Sequence, residues 1–403
     1  MSDTLSRVRA RKARHGLERE FYLDEGIYQD DLTHIWYPNW IFAGHTFEMP
    51  KSGNFITLQI GDYPLVIVND QGTYRAFHNT CRHRGSMICQ ERQGKVAKLV
   101  CPYHRWTYDF SGQLLYAADM GDSFIASEYQ LATAHIGIVE SHIFVCVADV
   151  APDFDRFKTA VTPYLQPHRL AGAKVAHQTE TLEHGNWKLV LENNRECFHC
   201  QSCHPELVRS FDQELSKAGL LPLDQQPEFV QTFVRETEAA GVPCQTHWDE
   251  DGQYRITRMA LMNGNLSHTM DGAPAVQKRL DATGLANIGN LFSFHYPSTW
   301  THYLGDHALT FRVLPTACGQ TQVTTTWIVP VDAVEGVDYD LENLVRVWNA
   351  TNDQDREIVE NTVRGLRSPA FRPGEYSTIL ENGTCQFVDW YCAQMEAALT
   401  RVG

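Results

Sequence analysis

Residues 81–104 carry the pattern that most limits what this chain can fold into. Cys81-Arg-His83-Arg-Gly85 is followed by Cys101-Pro-Tyr-His104, with 17 residues between His83 and Cys101. Each Cys and His pair reads as a tight loop between short strands, and the doubling requires the two loops to meet at one centre. A two-Cys, two-His zinc finger runs in the order Cys, Cys, His, His, whereas the two residue types alternate here. Chance proximity is a poor account of a pattern that occurs twice.

One thiolate and one imidazole from each of two loops make the ligand set of a Rieske [2Fe–2S] centre, with two thiolates on one iron and two imidazoles on the other. Cys81, His83, Cys101 and His104 are the expected ligands. The segment resembles the Rieske motif in detail, including Trp106 and the Asp109–Gly112 turn. Rieske proteins of respiratory complexes have a further Cys in each loop, joined as a disulfide. Ser86 and Tyr103 stand at those places, so the resemblance is to the lower-potential oxygenase or ferredoxin type. Arg105 stands where many relatives have Gly.

A second constellation follows in Asn186-Trp-Lys-Leu-Val-Leu-Glu192-Asn-Asn-Arg-Glu196-Cys-Phe-His199-Cys-Gln-Ser-Cys-His204-Pro205. Glu192, Glu196 and His199 fall at i, i+4 and i+7, which predicts one face of one helix ending near Pro205. Two imidazoles and one carboxylate from elsewhere, with open positions left, form the facial triad of non-haem Fe(II) oxygenases. Cys197, Cys200 and Cys203 offer a rival zinc reading. On a helix they form a row about 100° around from Glu196, and they read as packing cysteines.

The order of the two constellations, with an acid-x2-His-x4-His run about 100 residues after the Rieske motif, resembles the Rieske non-haem iron, ring-hydroxylating-type oxygenases over nearly the whole chain. Most of that family has Asp where this chain has Glu196. The run is most similar to the quaternary-ammonium branch, which includes glycine betaine, stachydrine and carnitine oxygenases. The resemblance implies an α+β chain, with an all-β Rieske domain and a helix-grip catalytic domain built on an antiparallel sheet. It implies a homotrimer in which the cluster of one subunit reduces its neighbour's iron, Glu196 linking His104 to His199. It also implies an Asp ligand to iron within residues 349–366. Asp355 is the first choice and Asp353 the second, against a reading of either as an acid on a solvated helix face.

Short β segments run from about residue 35 to 150, among them Asn54–Ile60, Leu65–Val68 and His142–Val147, with Asn69–Gly72 and Ser111–Gly112 as turns. A connection with Pro163 and Pro167 follows. Thr321–Val329 reads as a strand and Leu341–Leu366 as a long helix. The expected division is a segment 1–34 packing on the catalytic domain, a Rieske domain 35–150, a connection 151–172 and a catalytic mononuclear-iron domain 173–403. A length of 403 residues suits two or three domains. No run approaches the ~20 apolar residues of a membrane span. A net charge of −15 argues against nucleic acid as partner. The basic residues Arg7 to Arg14 precede no apolar region, which leaves cytoplasm as the expected location. The 11 Cys do not read as a secreted disulfide framework. Two belong to the cluster and the other nine read as structural.

The function implied is an oxygenase component that takes O₂, and electrons from a separate NAD(P)H- and flavin-dependent reductase, no GxGxxG fingerprint being present. It would hydroxylate an N-methyl group of a small betaine, glycine betaine or stachydrine, and release formaldehyde. Phe292, Phe294, Tyr296, Trp300 and Tyr303, beside His295 and His302, are a place to seek a cation–π cage for quaternary ammonium. Their alternation also fits the core face of a strand. The alternatives are an aromatic ring-hydroxylating dioxygenase, a carnitine-type C–N cleaving monooxygenase, and a Rieske ferredoxin, for which residues 173–403 are superfluous. Residues 81–105 hold six basic side chains and one acid, a local charge of +5, so the remainder carries −20. That basic collar is expected to steer an acidic reductase domain to the cluster.

Overall fold

The computed structural model describes residues 3–211, 217, 219 and 221–402. They form two compact units, one of residues 36–155 and one of residues 3–35 with the chain from 156 onward.

The first unit is antiparallel β throughout. Its strands are β1 (Ile41–His45), β2 (Asn54–Ile60), β3 (Tyr63–Asp70), β4 (Thr73–His78), β5 (Gln93–Lys95), β6 (Leu99–Val100), β7 (Thr107–Tyr108), β8 (Leu114–Tyr116), β9 (Thr133–Val139) and β10 (His142–Cys146). A seven-stranded sheet in the order β1-β10-β9-β4-β3-β2-β5 is joined by a small β6-β7-β8 sheet. The β3–β4 hairpin closes through Gln71 and Gly72, whose φ values of +52° and +91° suit a two-residue turn that follows strand twist. Phe55, Val66, Val68 and Phe77 form an apolar core that also takes in Cys81, Cys101, Trp106 and Tyr108. The two metal-type loops therefore grow out of the packed interior.

The second unit is a seven-stranded antiparallel sheet flanked by helices. Its strands are β11 (Ala173–Glu183), β12 (His247–Trp248), β13 (Tyr254–Met259), β14 (Asn290–His295), β15 (Thr299–Tyr303), β16 (Ala308–Ala317) and β17 (Gln320–Pro330), in the order β11-β17-β16-β15-β14-β13-β12. The Leu341–Leu366 helix starts at Asp340, whose side chain accepts from the Asn343 amide at 2.9 Å. Its buried side chains include Leu344, Trp348, Thr351, Val359 and Val363. Gly185 lets the turn after β11 close onto this helix, because a Cβ there would stand 2.4 Å from Val359 Cγ1. No helix among the described residues is long and apolar enough to cross a membrane.

The single helix expected to carry Glu192, Glu196 and His199 does not form. Asn186 caps a helix of Trp187–Asn194, which ends at Arg195. A separate short turn of helix, Cys200–Cys203, follows. Asn193 and Asn194 are weak helix formers. The Glu196 carboxylate then accepts from the backbone amides of Phe198 and His199, starting a new turn. Glu192 points elsewhere, into a buried contact with the hydroxyls of Tyr22 at 2.7 Å and Tyr376 at 3.0 Å. The cysteine row changes with it: Cys197 and Cys200 are joined in a disulfide and Cys203 is free.

A buried ion pair ties residues 3–35 to this unit. Asp31 accepts from Lys188 Nζ, from Trp187 Nε1 at 3.0 Å and from Tyr391 of the Asn382–Val402 helix at 2.7 Å. Asp31 and Lys188 are both fully buried. Removing one partner strands the other charge, so Lys188→Met should destabilise the unit by about 3–5 kcal/mol. Adding Asp31→Asn should restore much of that loss. Denaturant midpoints for the parent, single and double variants check it, and an unchanged single variant would refute it.

Candidate metal centres

The two Cys–His loops of the first unit have the same backbone construction. The Gly85 amide donates to Cys81 O at 3.0 Å and the Arg105 amide to Cys101 O at 3.1 Å. The amides of Cys81 and Cys101 donate to Ser86 O and Trp106 O, each at 2.9 Å. The fifth residue of each loop is left-handed, Gly85 at φ +77° and Arg105 at φ +62°. Such a backbone favours glycine, which accounts for Gly being common at the second place and makes Arg105 the unusual choice. Cys81 and Cys101 are buried, and the His83 and His104 rings lie 4.7 Å apart. Trp106 stacks on His83 at 4.8 Å, and Tyr108 Oη lies 3.4 Å from Cys81 Sγ. His83 Nδ1 is buried with no hydrogen-bond partner, the state of a ring nitrogen reserved for a metal. Two thiols and two imidazoles converging this way fit a [2Fe–2S] cluster. His104 is exposed, as are Arg82, Arg84, Arg92, Lys95, Lys98 and Arg105.

In the second unit three ligand-type atoms meet. His199 Nε2 and His204 Nε2 are 2.9 Å apart, and Asp355 Oδ1 lies 3.3 Å from the first and 3.1 Å from the second. Two donors at about 2.1 Å from one ion and at right angles stand roughly 3 Å apart, so the triangle suits three cis positions on a metal. Cys200 lies in the same neighbourhood, within 4.8 Å of both imidazoles, but its sulfur is bonded to Cys197. Asp353 points away, 68% exposed and paired with Arg356 at 3.0 Å.

Each group in the triangle is held from behind. His199 Nδ1 donates to Glu196 Oε1 at 2.5 Å, and His204 Nδ1 donates to Gln354 Oε1 at 2.8 Å. Both rings therefore turn Nε2 toward the centre. Gln354 in turn donates to Glu206 at 2.9 Å, and Asn193 donates to Asp355 Oδ1 at 2.6 Å. Burial works to raise the Asp355 carboxyl, yet the His199 and His204 contacts prevail and hold it down at about 2. The sequence reading missed Gln354 and Asn193, which no motif marks. Gln354→Leu removes the acceptor that fixes the His204 tautomer and should weaken Fe(II) binding by about 10- to 100-fold. Metal titration against the parent protein checks this.

The triad opens into a cavity of about 820 Å³ lined also by Trp248, Arg255, Phe292, His302 and Trp348. Of the aromatic run considered for a cage, Phe292 and His302 line it. The rest is core: Trp300 stacks on Phe311 at 4.8 Å, Phe294 on Tyr296 at 4.5 Å, and Tyr303 is buried.

Residues 39–127 match the Rieske [2Fe-2S] domain, and residues 170–397 match the ring hydroxylating alpha subunit catalytic domain. The chain is 41% identical to the glycine betaine monooxygenase oxygenase subunit of Chromohalobacter salexigens, over 98% of this chain and 89% of that one. It is also 41% identical to the subunit of the same name from Pseudomonas aeruginosa PAO1, over 97% and 92%. Its fold is similar to the quaternary ammonium Rieske monooxygenase CntA in complex with L-carnitine, at TM-score 0.72 and 18% identity over 97% of this chain and 98% of that one. Naphthalene 1,2-dioxygenase from Rhodococcus matches at TM-score 0.70 and 16% identity over 98% and 97%. Backbone similarity alone thus does not separate a quaternary amine from an arene as substrate.

Proposed function

Since the chain belongs to the Rieske non-haem iron oxygenases of the ring-hydroxylating alpha-subunit family, we propose that it is the oxygenase component of a monooxygenase that N-demethylates a small betaine. Glycine betaine is the first candidate and stachydrine the second. The near full-length identity of 41% to glycine betaine monooxygenase oxygenase subunits carries this reading.

In it, Cys81, His83, Cys101 and His104 hold the cluster, and His199, His204 and Asp355 hold Fe(II). When bound, the two centres supply one-electron transfer and O₂ activation, so that O₂, two electrons and two protons place one oxygen in an N-methyl C–H bond and release the other as water. The hydroxymethyl ammonium product then loses formaldehyde. Its C–N bond breaks with the electron pair left on nitrogen, and the hydroxyl proton ends on the amine. No hydrolytic side chain is needed. Glu196 and Gln354 fix the tautomers of His199 and His204, and Asn193 orients Asp355. The same reading takes the chain as a homotrimer in which Glu196 stands between its own His199 and His104 of the partner subunit. The exposed basic side chains around His104 receive a separate flavin-containing, NAD(P)H-dependent reductase.

Iron-loaded protein given O₂, reductase and NADH should release formaldehyde from glycine betaine in step with NADH consumption. Tight coupling to benzoate- or naphthalene-like substrates, with no formaldehyde from any betaine, would overturn the reading.

A further inference from the structure

Two guanidiniums line the catalytic cavity, and the two acids that line it with them, Glu196 and Asp355, are turned to His199 and His204 instead. Arg195 directly precedes Glu196 and is 6% exposed, while Arg255 projects from β13. The Arg195 guanidinium lies 3.8 Å from the Phe294 ring centroid and 5.4 Å from that of Phe292. The Arg255 guanidinium lies 4.7 Å from the Trp248 centroid and 5.4 Å from that of Phe292. Arg195 Nε donates to Tyr296 Oη at 2.9 Å. Arg195 Nη2 and Arg255 Nε are buried without a partner. Neither arginine forms an ion pair with any described residue.

Arg258, on the same strand and equally part of the cavity wall, shows what a structural buried arginine looks like here. Its nitrogens donate to Ile288 O at 3.0 Å and to Pro243 O and Tyr164 O, both at 3.3 Å, and meet His168 at 3.2 Å. The Arg195 and Arg255 pair lacks any such set of acceptors. Burial, and after it the charge of Arg195, draw the Arg255 pKa down to about 9. Two like charges thus face one cavity, Arg195 buried and Arg255 half-buried, each with a donor nitrogen that no acceptor meets. A guanidinium presents a planar fork of donors that matches the two oxygens of a carboxylate. The aromatic faces of Phe292 and Trp248 that line the cavity are already taken by these guanidiniums.

We propose that Arg195 and Arg255 bind the carboxylate of the substrate, so that the cavity selects zwitterionic betaines over choline-like cations and uncharged arenes. A cation would add a third positive charge, and an arene would leave both guanidiniums unpaired. The inference rests on the N-demethylation reading for the identity of the substrate but not for that of the anion subsite.

The test uses the holoenzyme with reductase and NADH. Glycine betaine is compared with its methyl ester, which keeps the trimethylammonium group and loses the anionic charge, and with choline. Formaldehyde release should show a kcat/KM lower by about 100-fold or more for the ester and for choline. Arg255→Met should raise KM for glycine betaine by about 30-fold, leave kcat within a few-fold, keep the iron content and cluster spectrum, and narrow the betaine-to-ester ratio. Arg255→Lys should recover part of the affinity. The substrate comparison stands even where a variant does not fold. Equal turnover of betaine and ester, or an Arg255→Met enzyme with unchanged KM and unchanged ratio, would overturn the arginine assignment alone. Absence of formaldehyde from every betaine would overturn the N-demethylation reading instead. In that event, calorimetric binding of benzoate decides the subsite: tight in the parent and lost in Arg255→Met supports it, and equal in both refutes it.

Discussion

Asp355→Ala should hold no iron in the catalytic unit and release formaldehyde roughly a thousandfold more slowly than the parent protein, whereas Asp353→Ala should behave like the parent. The two acids are two residues apart on one helix and meet opposite environments. Asp355 Oδ1 lies within 3.3 Å of both histidine Nε2 atoms and is held ionised by them. Asp353 is largely solvated and faces Arg356. Loss of Asp355 leaves two imidazoles, which hold a divalent ion far less well than three cis ligands and no longer balance its charge. Iron analysis on variants whose visible spectrum shows an intact cluster separates loss of the mononuclear ion from general misfolding. Full iron occupancy in Asp355→Ala would sink the assignment, and iron loss in Asp353→Ala would transfer it.

Glu196→Gln should lower turnover by about 100-fold or more while leaving the cluster spectrum and the iron content near those of the parent. The carboxylate does two things at once. It accepts the Nδ1 proton of His199, and it accepts from the amides of Phe198 and His199, which sets the turn between the two histidines. Gln keeps one carbonyl oxygen for His199 but presents an NH₂ group where the second oxygen accepted. It also removes the negative charge that makes His199 more basic. Rapid-mixing measurement of cluster oxidation by O₂ in the presence of substrate reads this step directly. Turnover equal to the parent would remove Glu196 from any relay, and loss of iron would make its role one of holding His199 only.

The cluster loops were legible because their chemistry is local. Cys81 and His83, and Cys101 and His104, lie close enough in sequence that a single loop delivers each pair. The choice between Asp355 and Asp353 was also present in the sequence, as helical register. Trp348, Thr351, Asp355 and Val359 follow at i, i+3, i+7 and i+11, the face that the structure buries, and Asp353 lies off it. The misreading of Glu192 and Glu196 has an equally plain cause. A period of 3.6 states which residues share a face as long as the helix lasts, and cannot state that Asn193, Asn194 and the Glu196 carboxylate end it.

What the sequence determined by itself is the set of candidate Cys and His ligands, their order and the two kinds of centre they suit, since spacing over a few residues constrains which atoms can meet. What only the tertiary structure decided is the environment of two charges in the catalytic unit. Arg195 and Arg255 are remote in sequence and ordinary in composition. They are brought together, Arg195 buried and Arg255 half-buried, because antiparallel pairing sets Arg255 opposite Phe294, whose ring also receives Arg195. Spacing along a chain is covalent and can be read directly. The solvation of a charge depends on every element packed around it, and that exists only once the sheet has formed.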